Sequence, residues 1–145
     1  MPRPTNTQFS LAVHLLTLLA QAEPGEVRDS AALAISPAAS PVHVRRVLGH
    51  LRDARLVRAQ QGAHGGWMLA LPPQEIDLAQ VWLAVNGEDP VLGVHSPNPN
   101  CEVGRRVAQN LRELDRRALA TLLRDLSTTT VAEVLAASQA TAAAL

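Results

Sequence analysis

Residues 36–71 read SPAASPVHVRRVLGHLRDARLVRAQQGAHGGWMLAL, and the order of elements in this stretch decides the fold. Ser36-Pro37-Ala38-Ala39 is a turn. Ser40 is a ready N-cap, and Pro41 sits at the first helical position, where its missing N–H costs nothing. The helix that follows, about 40–54, has Val44, Val47, Leu48 and Leu51 as its apolar stripe. His43, Arg45, Arg46, Gly49, His50 and Arg52 fall on its other sides. Leu56–Ala59 then reads as a strand and Trp67–Leu71 as its partner. The segment between them, Gln60 to Gly66, carries three glycines, which permit positive φ and close backbone contact. Turn, basic helix, strand, glycine-rich tip and strand is the order of a recognition helix followed by a β-hairpin wing (about 57–71).

Upstream, residues 1–6 are polar with two prolines and read as an arm. A first helix is expected from Thr7 to Gln21. Phe9, Ala12, Val13, Leu16, Leu19 and Ala20 mark one face, and Leu11, Leu15 and Leu18 a second. A helix apolar on both sides must be buried on both. One side faces the domain core; the other calls for a further helix or a partner chain. His14, inside this helix, reads as a packed or paired residue. Pro24-Gly25 breaks the chain. A short helix, Ser30 to Ile35, follows under an Asp29 or Ser30 cap. Its distance from the next helix is helix-turn-helix spacing.

Downstream, Asp77 caps a fourth helix with Leu78, Val81, Trp82 and Val85 on one face. Trp82, like Trp67, reads as core. Residues 87–100 are a Pro- and Gly-rich loop. A long helix over 102–126 carries Val103, Val107, Leu111, Leu114, Ala118 and Leu122 at helical spacing, widened by Leu119, Leu123 and Leu126. That apolar surface exceeds what so small a domain needs, and a dimer seam is its simplest use. Thr130 and Glu133 form a capping box for a last short helix, and the Ala-rich tail from Ala136 is expected to fray. The fold class is therefore mainly α with a small β-hairpin. The expected division is a winged helix-turn-helix domain at 7–86, a loop at 87–101, and a dimerisation helix with a short C-terminal helix at 102–137.

The chain has 145 residues and a formal net charge of zero. All 13 basic residues are Arg. Their distribution matters more than the sum: residues 1–60 are net +3, residues 61–100 net −4, and residues 101–145 net +1. Charge separated in this way gives a basic face on a neutral protein. The single cysteine, Cys101, excludes an intrachain disulfide. The apolar run in the first helix falls short of the ~20 residues a membrane span needs. A soluble, cytoplasmic protein that does not bind membranes is expected.

Several of these features occur together in one family. Ser36-x-x-x-x-Pro41-Val42-x-Val44-Arg45-Arg46, then Leu56-Val57, then Gly62-x-x-Gly65-Gly66-x-x-Leu69-Ala70 and Ile76-x-Leu78 resemble the Rrf2 family of bacterial winged-helix transcriptional regulators. Cys101-x-Val103-Gly104 and Thr130-Val131-Ala132-Glu133 fit it as well, so the resemblance covers roughly residues 7–135. It implies a homodimeric repressor or activator on a palindromic operator in double-stranded DNA, with repression the expected action. It places the recognition helix in the major groove and the wing at the minor groove. It also implies that the long helix pairs across the dimer, in some members holding the first helix of the other chain. The sequence departs from the pattern at Arg55, where members often carry Gly; a left-handed backbone there would be strained. It departs again in the loop before the long helix, where cluster-binding members place three cysteines and this chain has only Cys101. An iron–sulfur cluster needs several thiolates or replacement ligands, so no cofactor is expected. The sequence names no effector.

The expected DNA-binding set is Ser36, Ser40, Pro41, His43, Arg45, Arg46, His50 and Arg52 from the turn and helix, with Arg58, His64, Gly65 and Gly66 from the wing. Guanidinium groups suit phosphates and guanine edges. Ser36 and Ser40 offer hydroxyls to phosphate, although Ser40 caps first. The glycines let the His64 tip approach a groove. Cys101 is a redox candidate if the start of its helix lowers its pKa; an inert thiol is the alternative. No His-Glu-x-x-His, Gly-x-Ser-x-Gly or phosphate loop is present, so no enzyme is expected. The competing readings are a winged-helix module that binds protein and a metal-dependent enzyme acting on DNA.

Overall fold

The computed structural model describes residues 7–144; the expected N-terminal arm lies outside the described residues. The chain runs α1 (Thr7–Ala20), α2 (Ser30–Ile35), α3 (Pro41–Asp53), β1 (Val57–Gln60), β2 (Gly66–Leu69), a 3-10 turn (Pro73–Glu75), α4 (Leu78–Asn86), α5 (Glu102–Leu126) and α6 (Val131–Ala143). This is the expected fold class: helices with one small antiparallel hairpin.

The core is built around α1. Leu15 and Leu16 are fully buried, and Ala12 between them and the first turn is too. They meet Leu33 of α2 and Val44, Val47, Leu48 and Leu51 of α3, all within the same cluster as Leu56, Val57, Ile76 and Val81. Burying a Leu or Val side chain contributes roughly 1.5–3 kcal/mol. The α3 stripe is therefore what holds the recognition helix to its support. α1 packs on α3, α4, α6 and β2 of its own chain. Its second apolar face is thus covered internally, so no partner chain is needed to explain it.

Helices α2 to α6 each start under an identifiable side-chain cap. Asp29 accepts from Ala32 N at 2.9 Å and Ser40 from His43 N at 3.2 Å. Asp77–Gln80 and Thr130–Glu133 are reciprocal capping boxes. The α6 box continues into a long helix: α6 runs to Ala143, so the Ala-rich tail does not fray from Ala136. Ala is the best helix former, and α6 also gains contact with α1. Backbone bonds tie its start to that of α4, from Val131 N to Ile76 O (2.9 Å) and from Leu78 N to Thr129 O (2.9 Å). Val131 is fully buried in the common core.

The helices on either side of the α2–α3 turn end alike. At the end of α2, Ala39 N donates to Ala34 O and Ala38 N to Ile35 O, both at 3.1 Å. At the end of α3, Leu56 N donates to Leu51 O at 2.9 Å and Arg55 N to Arg52 O at 2.8 Å. Both are Schellman closures, which place one residue in the left-handed region, usually Gly. Here those residues are Ala38 (φ 52°) and Arg55 (φ 62°).

Candidate nucleic-acid interface

Helix α3 is buried along Val44, Val47, Leu48 and Leu51, which turns Val42, Arg45, Arg46 and Gly49 outward. Val42 is 70% exposed, a large apolar side chain left in solvent at the first turn. A Cβ added at Gly49 would meet nothing within 4 Å, so the outer face is flat there. His43 flanks this face and takes the Arg46 guanidinium on Nδ1 at 2.8 Å. His50 is exposed one turn later. Arg52 is exposed but lies against Asp53, with 3.4 Å between Nη2 and Oδ1. That pairing places an acid at the C-terminal end of the outer face, so its cationic part is the first two turns.

Ser40 is occupied as the α3 cap and Pro41 follows it. Ser36 is not a free hydroxyl either: its Oγ lies 2.8 Å from His14 Nε2. His14 thus ties α1 to the turn before α3, the paired role expected for a polar residue in an apolar helix.

The wing pairs Val57 with Leu69, Arg58 with Met68, Ala59 with Trp67 and Gln60 with Gly66. It has a third edge that the sequence did not reveal. Arg28, between α1 and α2, bridges Trp67 through two bonds, Arg28 N to Trp67 O (3.0 Å) and Trp67 N to Arg28 O (2.9 Å). A one-residue bridge leaves no periodic signal. It also changes the meaning of the glycines. A Cβ on Gly66 would lie 2.8 Å from Arg28 O, and one on Gly65 only 2.2 Å from Gln60 O. Both are required by packing inside the wing; Gly62, at φ 103°, supplies its left-handed turn. His64 is exposed at the tip. Arg58 stands nearer the base, on a groove of about 430 Å³ that it shares with Glu23, Glu26 and Met68.

Helix α5 packs chiefly on α4. Its buried residues are Ala108 and Asp115, whereas Val103 (69%), Val107 (43%) and Leu114 (43%) are exposed. The apolar stripe read from the sequence is therefore exposed at Val103, Val107 and Leu114 and half-buried at Leu111, Ala118 and Leu122. Asp115 turns inward, and its Oδ1 accepts from Leu92 N in the 87–101 loop. Trp82 packs on Phe9 with ring centroids 5.3 Å apart, and its Nε1 is buried without a hydrogen bond. Cys101 caps α5: its Sγ accepts from Gly104 N at 3.4 Å. Among the described residues no three His, Cys, Asp or Glu side chains converge to hold a metal ion, and no helix is long and apolar enough to cross a membrane.

A family model described as "Rrf2: Iron-dependent Transcriptional regulator" matches residues 5–137. YwnA of Bacillus subtilis, which bears the name of an HTH-type transcriptional regulator, is 32% identical over 109 residues, 74% of this chain and 79% of that protein. Among solved structures, the B. subtilis global cysteine regulator CymR superposes with a TM-score of 0.66 at 21% identity, over 93% of this chain and 98% of its own. The IscR of T. potens gives 0.63 at 20% identity, over 93% and 88%. These two likenesses establish the shared fold. The family description names iron; among the described residues the one thiol caps α5 and belongs to no group of three or more His, Cys, Asp or Glu that could hold a metal ion. With the family model spanning nearly the whole chain, and the winged helix-turn-helix built as described, this chain belongs to the Rrf2 family of transcriptional regulators.

Proposed function

We propose that this regulator acts as a homodimer on palindromic operator DNA, with α3 in the major groove and the wing at the minor groove, and that it represses transcription. The observation that carries this reading is the outer face of α3, where Arg45, Arg46 and Val42 are exposed together beside the paired wing strands. Arg45 and Arg46 hold phosphates or guanine edges. His50 and Arg52 extend the face toward its end, and His64 meets the minor groove. Arg58, sharing its groove with Glu23 and Glu26, contributes least. Dimerisation uses the exposed Val103, Val107 and Leu114 of α5, which spaces the two recognition helices about one DNA turn apart or a multiple of it. The protein works in the cytoplasm, binds no membrane, and catalyses no reaction. It carries no iron–sulfur cluster of its own, because a single cysteine supplies too few thiolates.

The test is titration of a duplex selected by the protein from a random pool, followed by fluorescence anisotropy at several salt concentrations. Arg45→Ala and Arg46→Ala should each weaken binding and lower the salt slope by about one. Unchanged affinity and slope in both variants would remove α3 as the DNA element.

A further inference from the structure

A cavity of about 290 Å³ opens between the first two turns of α1 and the turn that joins α2 to α3. Its polar lining is Thr7, Ser10, His14 and His43; Leu11, Pro37 and Ala39 form its apolar wall. No Asp or Glu lines it. The two imidazoles come from different helices, and each is already held on one nitrogen. His14 Nε2 meets Ser36 Oγ, and His43 Nδ1 meets Arg46 Nη2, both at 2.8 Å. A guanidinium N–H can only donate, so Nδ1 of His43 accepts. In the neutral ring the proton then resides on Nε2. That Nε2–H has no hydrogen bond among the described residues. The cavity therefore offers a positioned donor and two imidazoles, with no carboxylate to oppose an anion.

Its place matters as much as its chemistry. His43 flanks the outward face of α3 and does not lie at its centre, so a group seated in the cavity sits beside Val42 and Arg46. With α3 in a groove, the group that runs beside the helix is the sugar–phosphate backbone, and helix-turn-helix supports are held there by phosphate contacts. We propose that this cavity seats one backbone phosphate of the DNA, bound by His43 and by His14, whose ring Ser36 holds from outside the cavity. The DNA interface thereby extends from the recognition helix onto α1. This rests on the DNA reading of α3. Because His43 also holds Arg46, the phosphate sets the position of that guanidinium on the α3 face: His43 is a positioning residue as well as a contact.

The experiment pairs protein and DNA changes. Duplexes carrying a single methylphosphonate at successive positions are titrated with the wild-type protein and with His14→Gln. At one position per recognition helix, neutral linkage should weaken wild-type binding about tenfold. His14→Gln should weaken the unmodified duplex, yet add nothing once that one linkage is neutral. Additive losses at every position, or wild-type affinity in His14→Gln, would overturn the proposal. So would a methylphosphonate scan of the wild type with no sensitive position beside the start of α3, an outcome that needs no variant to fold. Imidazole NMR signals of His14 and His43 provide a further arm, with inorganic phosphate as the probe. Displacement of phosphate by DNA supports the proposal. Phosphate that stays bound alongside DNA marks a site for a small oxyanion and refutes it. If the wild type binds no duplex at all, it is the DNA reading of α3 that has failed.

Discussion

The amide of Leu56 donates to the carbonyl of Leu51 at 2.9 Å and closes the recognition helix across Arg55, whose φ is 62°. Leu51 and Leu56 are both buried, so the closure is locked by packing on each side. A left-handed backbone at a residue with a Cβ costs roughly 1–2 kcal/mol. Part of that is recovered in the unfolded state, because Gly has more freedom to lose. Arg55→Gly should therefore stabilise the protein by about 1 kcal/mol, a rise of about 3 °C in midpoint. Ala38→Gly, at the equivalent place on α2, should do the same. Thermal unfolding of the two single variants and the double checks both; a fall in midpoint would show that the strain is absent.

The glycines of the wing should respond in a graded order. Gly65→Ala drives a Cβ to 2.2 Å from a backbone oxygen that cannot move aside without breaking the hairpin. Gly66→Ala meets the Arg28 carbonyl at 2.8 Å. Gly62→Ala has open space and pays only for its positive φ, roughly 1–2 kcal/mol. Gly65→Ala should be the most destabilising and Gly62→Ala the least. Unfolding midpoints, with amide shifts of Arg28 and Trp67 as reporters of the bridge, will test the order.

Asp115 is a charged residue on the inner side of α5, where it accepts the Leu92 amide. A hydrogen bond to a charged group contributes about 1.5–3 kcal/mol. Asp115→Ala leaves that amide without its acceptor, and the 87–101 loop should open locally. Hydrogen exchange at Leu92 should speed up by at least tenfold, while exchange at Val47 and Leu48 changes only with global stability. Equal acceleration at all three would mean that Asp115 supports the whole fold and not the loop.

Cys101 is a weak cap, since a thiol is a poor acceptor compared with a hydroxyl. Cys101→Ser should strengthen the start of α5 by about 0.5–1 kcal/mol. The measurement is the unfolding midpoint under reducing conditions. A decrease would assign the thiol a packing role beside Pro97 and Gly104.

The exposed Val107 and Leu114 predict the assembly state. Val107→Asp with Leu114→Asp should convert the proposed dimer to a monomer by sedimentation velocity and weaken operator binding by tenfold or more, because two linked half-sites become two separate ones. A double variant that still sediments as a dimer would place the seam elsewhere.

Local chemistry made much of this molecule legible before any coordinates. Ser40-Pro41 announces the start of α3, and the Thr130–Glu133 pair that of α6, because caps are decided within four residues. The Val44-Val47-Leu48-Leu51 stripe names the buried face of α3, since helical period alone sets it. Paired glycines and alternating strands mark the wing. Only the tertiary structure decided which partners complete these elements. Arg28 reaches Trp67 across nearly forty positions of chain, and that contact, more than any demand of DNA, explains why Gly66 lacks a side chain. Asp115 looks like a solvent residue on a helical wheel and is buried because α4 and the loop cover it. His14 meets Ser36 because the core sets α1 against the α2–α3 turn. Short-range propensity writes elements into a sequence; contacts between distant residues leave no period to read, and they are what bring the His14–His43 cavity and the Arg46 side chain onto one surface.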